Sequence, residues 1–103
     1  MNIQKLMKEA QRAQRKMAEA QERLAEMTVE GSAGAGMVTA VAKGDGTITS
    51  VRIDRSVVDP EDVEMLEDLV TAAVAEAQRR AKELQEQELG SLMGGMAGLG
   101  GLF

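Results

Sequence analysis

Five basic residues, Lys5, Lys8, Arg12, Arg15 and Lys16, carry the spacing with the clearest chemical meaning in this chain. At about 100° per residue they fit within an arc of roughly 100° on a helix, a line of cations along one side. One acid, Glu9, sits among them, whereas the whole chain has a formal net charge of −5. The order of charges also opposes the helix macrodipole, which favours acids at the N-terminus and bases at the C-terminus. Here the bases come first, and Glu19, Glu22, Glu26 and Glu30 follow. Such a stripe suits an anionic polymer, above all nucleic-acid phosphate. Its bland alternative is a solvated face with i, i+4 pairs such as Lys5–Glu9 and Glu19–Arg23.

Catalysis has little to work with. The sequence contains no His and no Cys, so the commonest general base and the thiol nucleophile are both missing. Without Cys there is no disulfide framework or thiolate site. The carboxylates lie on exposed helix positions with no apolar setting to raise a pKa. The reading is a non-enzyme without cofactor, metal or small-molecule substrate. No apolar run approaches the ~20 residues of a membrane span, and no signal-peptide segment is recognisable, so the expected location is the cytoplasm.

The elements that must present the stripe follow from periodicity. Ile3, Leu6, Ala10, Ala13, Met17, Ala20, Leu24 and Met27 alternate spacings of 3 and 4, a coiled-coil seam on a helix over 2–27 with Asn2 as N-cap. The basic stripe lies away from this seam. Three short strands are predicted at 28–32, 37–42 and 47–53, the last two joined by a turn at Lys43-Gly44-Asp45-Gly46. Asp59-Pro60 is the start signal of a last helix, with Asp as N-cap and Pro as first residue. Val63, Leu66, Val70, Ala73, Ala77 and Leu84 give it a second seam, and Gly90 is read as its end. The fold class is therefore α+β: a long helix, a three-stranded antiparallel meander and a second long helix.

Residues 1–89 form one domain in this reading, and 90–103, with six Gly and no charge, form a disordered Gly/Met-rich tail. The chain has 103 residues, no Trp or Tyr and a single Phe, so its core is thin and self-association is expected. With antiparallel helices, Arg79, Arg80 and Lys82 are expected beside Lys5 and Lys8, adding to the basic end.

Several stretches resemble one family. Ala33-Gly34-Ala35-Gly36-Met37-Val38, Val51-Arg52-Ile53-Asp54 and Glu64-Met65-Leu66-Glu67-Asp68-Leu69-Val70, followed by Ala72-Ala73 and Arg79-Arg80, are similar to the YbaB/EbfC nucleoid-associated proteins of bacteria. The resemblance implies a tweezers-like homodimer with sheets at the centre and helices projecting. It implies binding of double-stranded DNA by those helices, a place in the nucleoid, altered DNA conformation and effects on gene expression. Two positions depart from the family's habit: Thr39 stands where Lys is frequent, removing a basic group from the sheet, and Arg55 stands where Pro is frequent, altering the turn before the last helix. The DNA-binding set expected is Lys5, Lys8, Arg12, Arg15 and Lys16, with Arg79, Arg80 and Lys82 assisting. Two other classes compete: a prefoldin-like holdase gripping unfolded clients with small apolar residues and a Met-rich segment, and a coiled-coil adaptor that binds no DNA.

Overall fold

Asn2 opens the first helix in extended conformation, and its side chain accepts from the backbone N–H of Lys5 at 3.3 Å, satisfying one of the free donors of the first turn. The computed structural model describes the backbone of residues 2–100 and side chains 2–91. Helix α1 spans Ile3–Glu26, strands β1, β2 and β3 span Thr28–Ala33, Val38–Lys43 and Ile48–Ile53, and helix α2 spans Val63–Gly100. The strands form one antiparallel sheet in the order β1-β2-β3, the expected meander. The radius of gyration is 19.9 Å, far above the ~13 Å of a compact chain this long, because the helices run outward from a small sheet.

One face of the sheet is the core. Val38, Ala40 and Ala42 of β2 point to α2, where Ala73 and Ala77 meet them, with Val29, Ala33, Ile48, Val57, Leu66, Leu69, Val70 and Val74 packed around. Only Val38 among these is a large side chain with no exposure, so the core is thin, as the composition requires. The small residues serve closeness rather than burial. A Cβ on Gly31 would lie 2.2 Å from the backbone nitrogen of Ala77 and 2.5 Å from the carbonyl oxygen of Ala73, so α2 lies directly on β1. A bulge after Val41 leaves Thr49 without a partner in the register and turns Ile48 to the core face opposite Ala42.

Gly44 works differently from the role its turn suggests. Its φ is not in the left-handed region, which Gly46 alone occupies in that turn (φ 95°). Instead a Cβ at Gly44 would meet the Leu24 carbonyl oxygen at 2.4 Å, and its N–H donates to the Met27 carbonyl at 2.9 Å. The hairpin thus clamps the end of α1.

The other turn has a strained member. Ala35 has φ 55° between Gly34 and Gly36, a left-handed conformation that costs an L-residue about 1–2 kcal/mol. Ala35→Gly is expected to raise the thermal midpoint by a few degrees, the relief of strain exceeding the ~0.5–1 kcal/mol entropic cost of glycine; a calorimetric scan measures it.

Both ends of the last helix differ from the sequence reading, and a short turn precedes it. Asp59 does not cap the helix: its side chain accepts from Glu61 N–H and its carbonyl from Asp62 N–H, both at 2.9 Å, which closes a separate turn containing Pro60. Asp62 then caps α2, accepting from Met65 N–H at 3.2 Å. Two consecutive Asp turns give the same local signal, and the first is spent before the helix starts. A short 3-10 turn at Arg55–Val57, capped by Asp54, precedes them. Gly90 does not end the helix, which continues to Gly100; without a competing Pro, one Gly costs only about 1 kcal/mol. Residues 101–103 of the expected tail, and the side chains from 92 onward, lie outside the described residues.

Two exposed aspartates stiffen these turns. Thr47 N–H donates to Asp45 at 2.9 Å and, with the Thr47 hydroxyl, holds its carboxyl below the usual range. The Ser56 hydroxyl and its N–H, the latter at 2.8 Å, do the same for Asp54. A lowered folded-state pKa stabilises the fold above the ordinary carboxylate range, and that contribution disappears as pH falls through the lowered value. Asp45→Asn with Asp54→Asn is expected to lower the urea midpoint slightly at neutral pH, with the difference from wild type disappearing as pH falls below the ordinary carboxylate range and through the lowered values.

Candidate nucleic-acid interface

The sequence from Lys5 to Lys16 stays helical because it is built of Lys, Arg, Gln, Glu, Ala, Leu and Met, the strongest helix formers. It rises about 17 Å along α1, half the ~34 Å turn of a DNA duplex. Lys5, Lys8, Arg12, Arg15 and Lys16 are all exposed. Lys8, Gln11, Arg12 and Arg15 border one open concave patch. Gln11 was absent from the charge-based reading because it is neutral, yet its amide adds donor and acceptor groups between the cations.

The pairing of charges separates this stripe from four of the seven other basic residues. Among the described residues no ion pair involves any of the five, and the Lys5–Glu9 pair of the bland alternative is not formed. Four other arginines are each engaged: Arg23 with Glu88 at 3.6 Å, Arg52 with Glu30 at 3.1 Å, Arg79 with Glu83, and Arg80 with Glu76 at 2.8 Å. Residues 1–18 hold five bases and one acid, giving +4, while the remaining seven bases and sixteen acids give −9. The projecting end of α1 is a cationic rod on an anionic body.

Arg79, Arg80 and Lys82 do not lie beside Lys5 and Lys8. Arg80 donates to the backbone carbonyl of Glu30 on β1 at 2.9 Å, so this part of α2 is still over the sheet. The two helices meet farther on, where Leu24, Gln85 and Leu89 border one pocket and Arg23 reaches Glu88. From that meeting point the stripe lies roughly 12–28 Å up α1, and Arg79 and Arg80 lie several ångströms back toward the sheet. The expected juxtaposition ignored how much of α2 the sheet consumes. Buried Ala73, Ala77 and Ala81, spaced by four, keep one side of α2 covered for just over two turns before it reaches α1. That small-residue spacing, opposite Gly31, was the available signal. Lys82 is exposed and has no ion pair among the described residues.

A family model described as the YbaB/EbfC DNA-binding family matches residues 1–96. The chain belongs to the YbaB/EbfC DNA-binding family. Its relatives include a nucleoid-associated protein of Saccharopolyspora erythraea, 50% identical over 104 residues that cover 98% of this chain and 90% of the relative. Another, from Acetivibrio thermocellus, is 52% identical over 102 residues and bears the same description, with 99% of this chain and 90% of the relative covered. Among solved structures, the uncharacterized protein HP0035 from Helicobacter pylori superposes with a TM-score of 0.79 over 90% of this chain and 98% of its own. At 18% identity that likeness shows the YbaB/EbfC-type helix–meander–helix architecture as a shared fold and nothing more. Among the described residues, no helix is long and apolar enough to cross a membrane.

Proposed function

We infer that this protein binds double-stranded DNA through the basic stripe of α1 and acts as a nucleoid-associated protein, altering DNA conformation and through it gene expression. The observation that carries the reading is five exposed cations in one line, none paired within the described residues. An unpaired cation gives up no internal partner when it meets a phosphate, and each phosphate neutralised releases condensed counterions. Arg79 and Arg80 must first leave Glu83 and Glu76, so they assist less than the stripe does; Lys82 is free to assist. Phosphate contacts position a protein without reading sequence, so specificity is low, and any base preference comes from Arg12 or Arg15 entering a groove.

The active form is a homodimer joined through the sheet. Support comes from the core face itself: Val51 and Ile53 of β3 stand opposite Ala40 and Val38 of β2, yet α2 covers β1 and β2 and leaves them 37% and 40% exposed. A second copy would complete that face. Residues 1–89 suffice for this domain, and two stripes together engage on the order of 6–10 phosphates. The protein then works in the cytoplasm of a bacterium, on the nucleoid.

A mobility-shift titration on a random duplex and on genomic fragments at about 50 and 200 mM salt tests the reading. A shift at low salt that weakens by about 10³-fold or more at high salt is expected. No shift at low salt would contradict it, and a shift insensitive to salt would turn the reading toward apolar client binding.

A further inference from the structure

Around α1 the side chains change character in a fixed order. At about 100° per residue, Ile3, Leu6, Ala10, Ala13 and Met17 occupy one side and the basic stripe the other. Glu9 lies on one flank of the stripe. On the opposite flank lie Gln4, Met7, Gln11 and Gln14, an uncharged row within roughly 80°. All of these residues are exposed. We propose that the row reads A·T base pairs in the major groove of DNA, with Gln4 and Gln11 bonding adenine and Met7 meeting thymine. This inference rests on DNA binding by the stripe and adds a second source of base preference to the arginines.

Charge decides which flank turns to the bases. A helix in the major groove lies between two phosphate backbones. The cations hold the helix to phosphate, and Glu9 is repelled by it. The helix therefore rolls about its cations with Glu9 outward and the glutamine row inward. Gln11 links the two rows, because it shares one concave patch with Lys8, Arg12 and Arg15. The amides are also available. Gln85 spends its amide on the Gly44 carbonyl at 2.8 Å, whereas Gln4, Gln11 and Gln14 hold no hydrogen-bond partner among the described residues.

The side chains select the base. A primary amide offers a donor and an acceptor side by side, the complement of adenine N7 and N6 in the major groove. Guanine shows two acceptors there and suits arginine instead. Met7 is 58% exposed and lies between Gln4 and Gln11, where its apolar end suits the thymine methyl group. Gln4 and Gln11 stand two turns apart, about 10 Å along the axis, which matches roughly three base pairs. The row thus fits two A·T pairs about three steps apart.

Selection of bound duplexes from a randomised pool at about 50 mM salt tests the proposal, with the wild-type chain and with Gln4→Ala/Gln11→Ala. Alanine is the best helix former and is neutral like glutamine, so α1 and its charge are kept. The wild type is expected to enrich duplexes with A·T pairs about three base pairs apart. It should bind the selected duplex about fivefold or more tighter than one with either pair changed to G·C, the low end for one bidentate contact. The variant should lose that discrimination, with affinity for random duplex within about twofold of wild type and an unchanged salt slope. Lys5→Gln/Lys16→Gln should do the reverse, weakening binding to every duplex and keeping the preference. Duplex binding by the wild type without enrichment, or wild-type preference in the Gln4→Ala/Gln11→Ala variant, would overturn the proposal and leave DNA binding by the stripe standing. Failure of the wild type to bind any duplex would overturn both.

Discussion

Gly31→Val is expected to unfold most of the protein. The added Cβ would sit 2.2 Å from the Ala77 nitrogen and 2.8 Å from its Cα, atoms of helix backbone that cannot rotate away. Relief requires α2 to lift from β1. That exposes Ala73 and Ala77 and opens the cover over Val38, Ala40 and Ala42, the whole set of buried residues in the core cluster. Overpacking a core commonly costs about 1–3 kcal/mol, and a clash with fixed backbone belongs at or above the upper end. A small domain with a thin core has little to lose from a total of about 5–15 kcal/mol. Urea unfolding followed by circular dichroism should show the midpoint of Gly31→Val shifted to low denaturant or the transition lost, with Gly31→Ala intermediate. A midpoint equal to wild type would mean that α2 does not lie on β1 as described.

Replacing Lys5, Lys8, Arg12, Arg15 and Lys16 together by Gln is expected to lower DNA affinity at about 50 mM salt by about 10³-fold or more. The fold should not suffer. Glutamine matches Lys and Arg in helix propensity, and removing cations from a helix N-terminus relieves an unfavourable dipole interaction. Far-ultraviolet circular dichroism should therefore be unchanged. Arg79→Gln with Arg80→Gln makes the informative contrast. It removes two charges already neutralised by Glu83 and Glu76 and breaks the Arg80 hydrogen bond to the Glu30 carbonyl. Its expected effect is on stability, with less than about tenfold loss of affinity, since paired surface cations release few counterions. The reverse ranking of the two variants would move the interface from α1 to α2.

Much of the architecture was legible because it is local. The cap at Asn2, the helix of α1, and three strands each placed within one residue of their observed starts all follow from neighbouring residues. The stripe was legible for the same reason, since five charges on one helix need no tertiary information. What escaped depends on contacts distant in sequence. Gly31 reads as ordinary strand punctuation until α2, more than forty residues away, is laid on it. Gly44 reads as a turn glycine until the end of α1 is pressed against it. Arg79 and Arg80 read as free cations late in a helix, but the sheet fixes where they lie and Glu30 fixes what Arg80 holds. The start of α2 escaped for a local reason, because Asp59 and Asp62 both offer a cap and Pro60 favours the wrong one. Whether the stripe is tied up in i, i+4 pairs could be read only once the side chains were placed and Lys5 and Glu9 were seen unpaired.

The most direct test of the central claim, that the α1 stripe is the DNA surface, is the salt dependence of binding to one random duplex, measured by fluorescence anisotropy for the wild-type chain and for the five-residue Gln variant. The account predicts a wild-type slope of log affinity against log salt of about −5 to −9, falling to near zero in the variant. A slope of the same size in both proteins would contradict it, because the phosphates would then be held by some other part of the molecule.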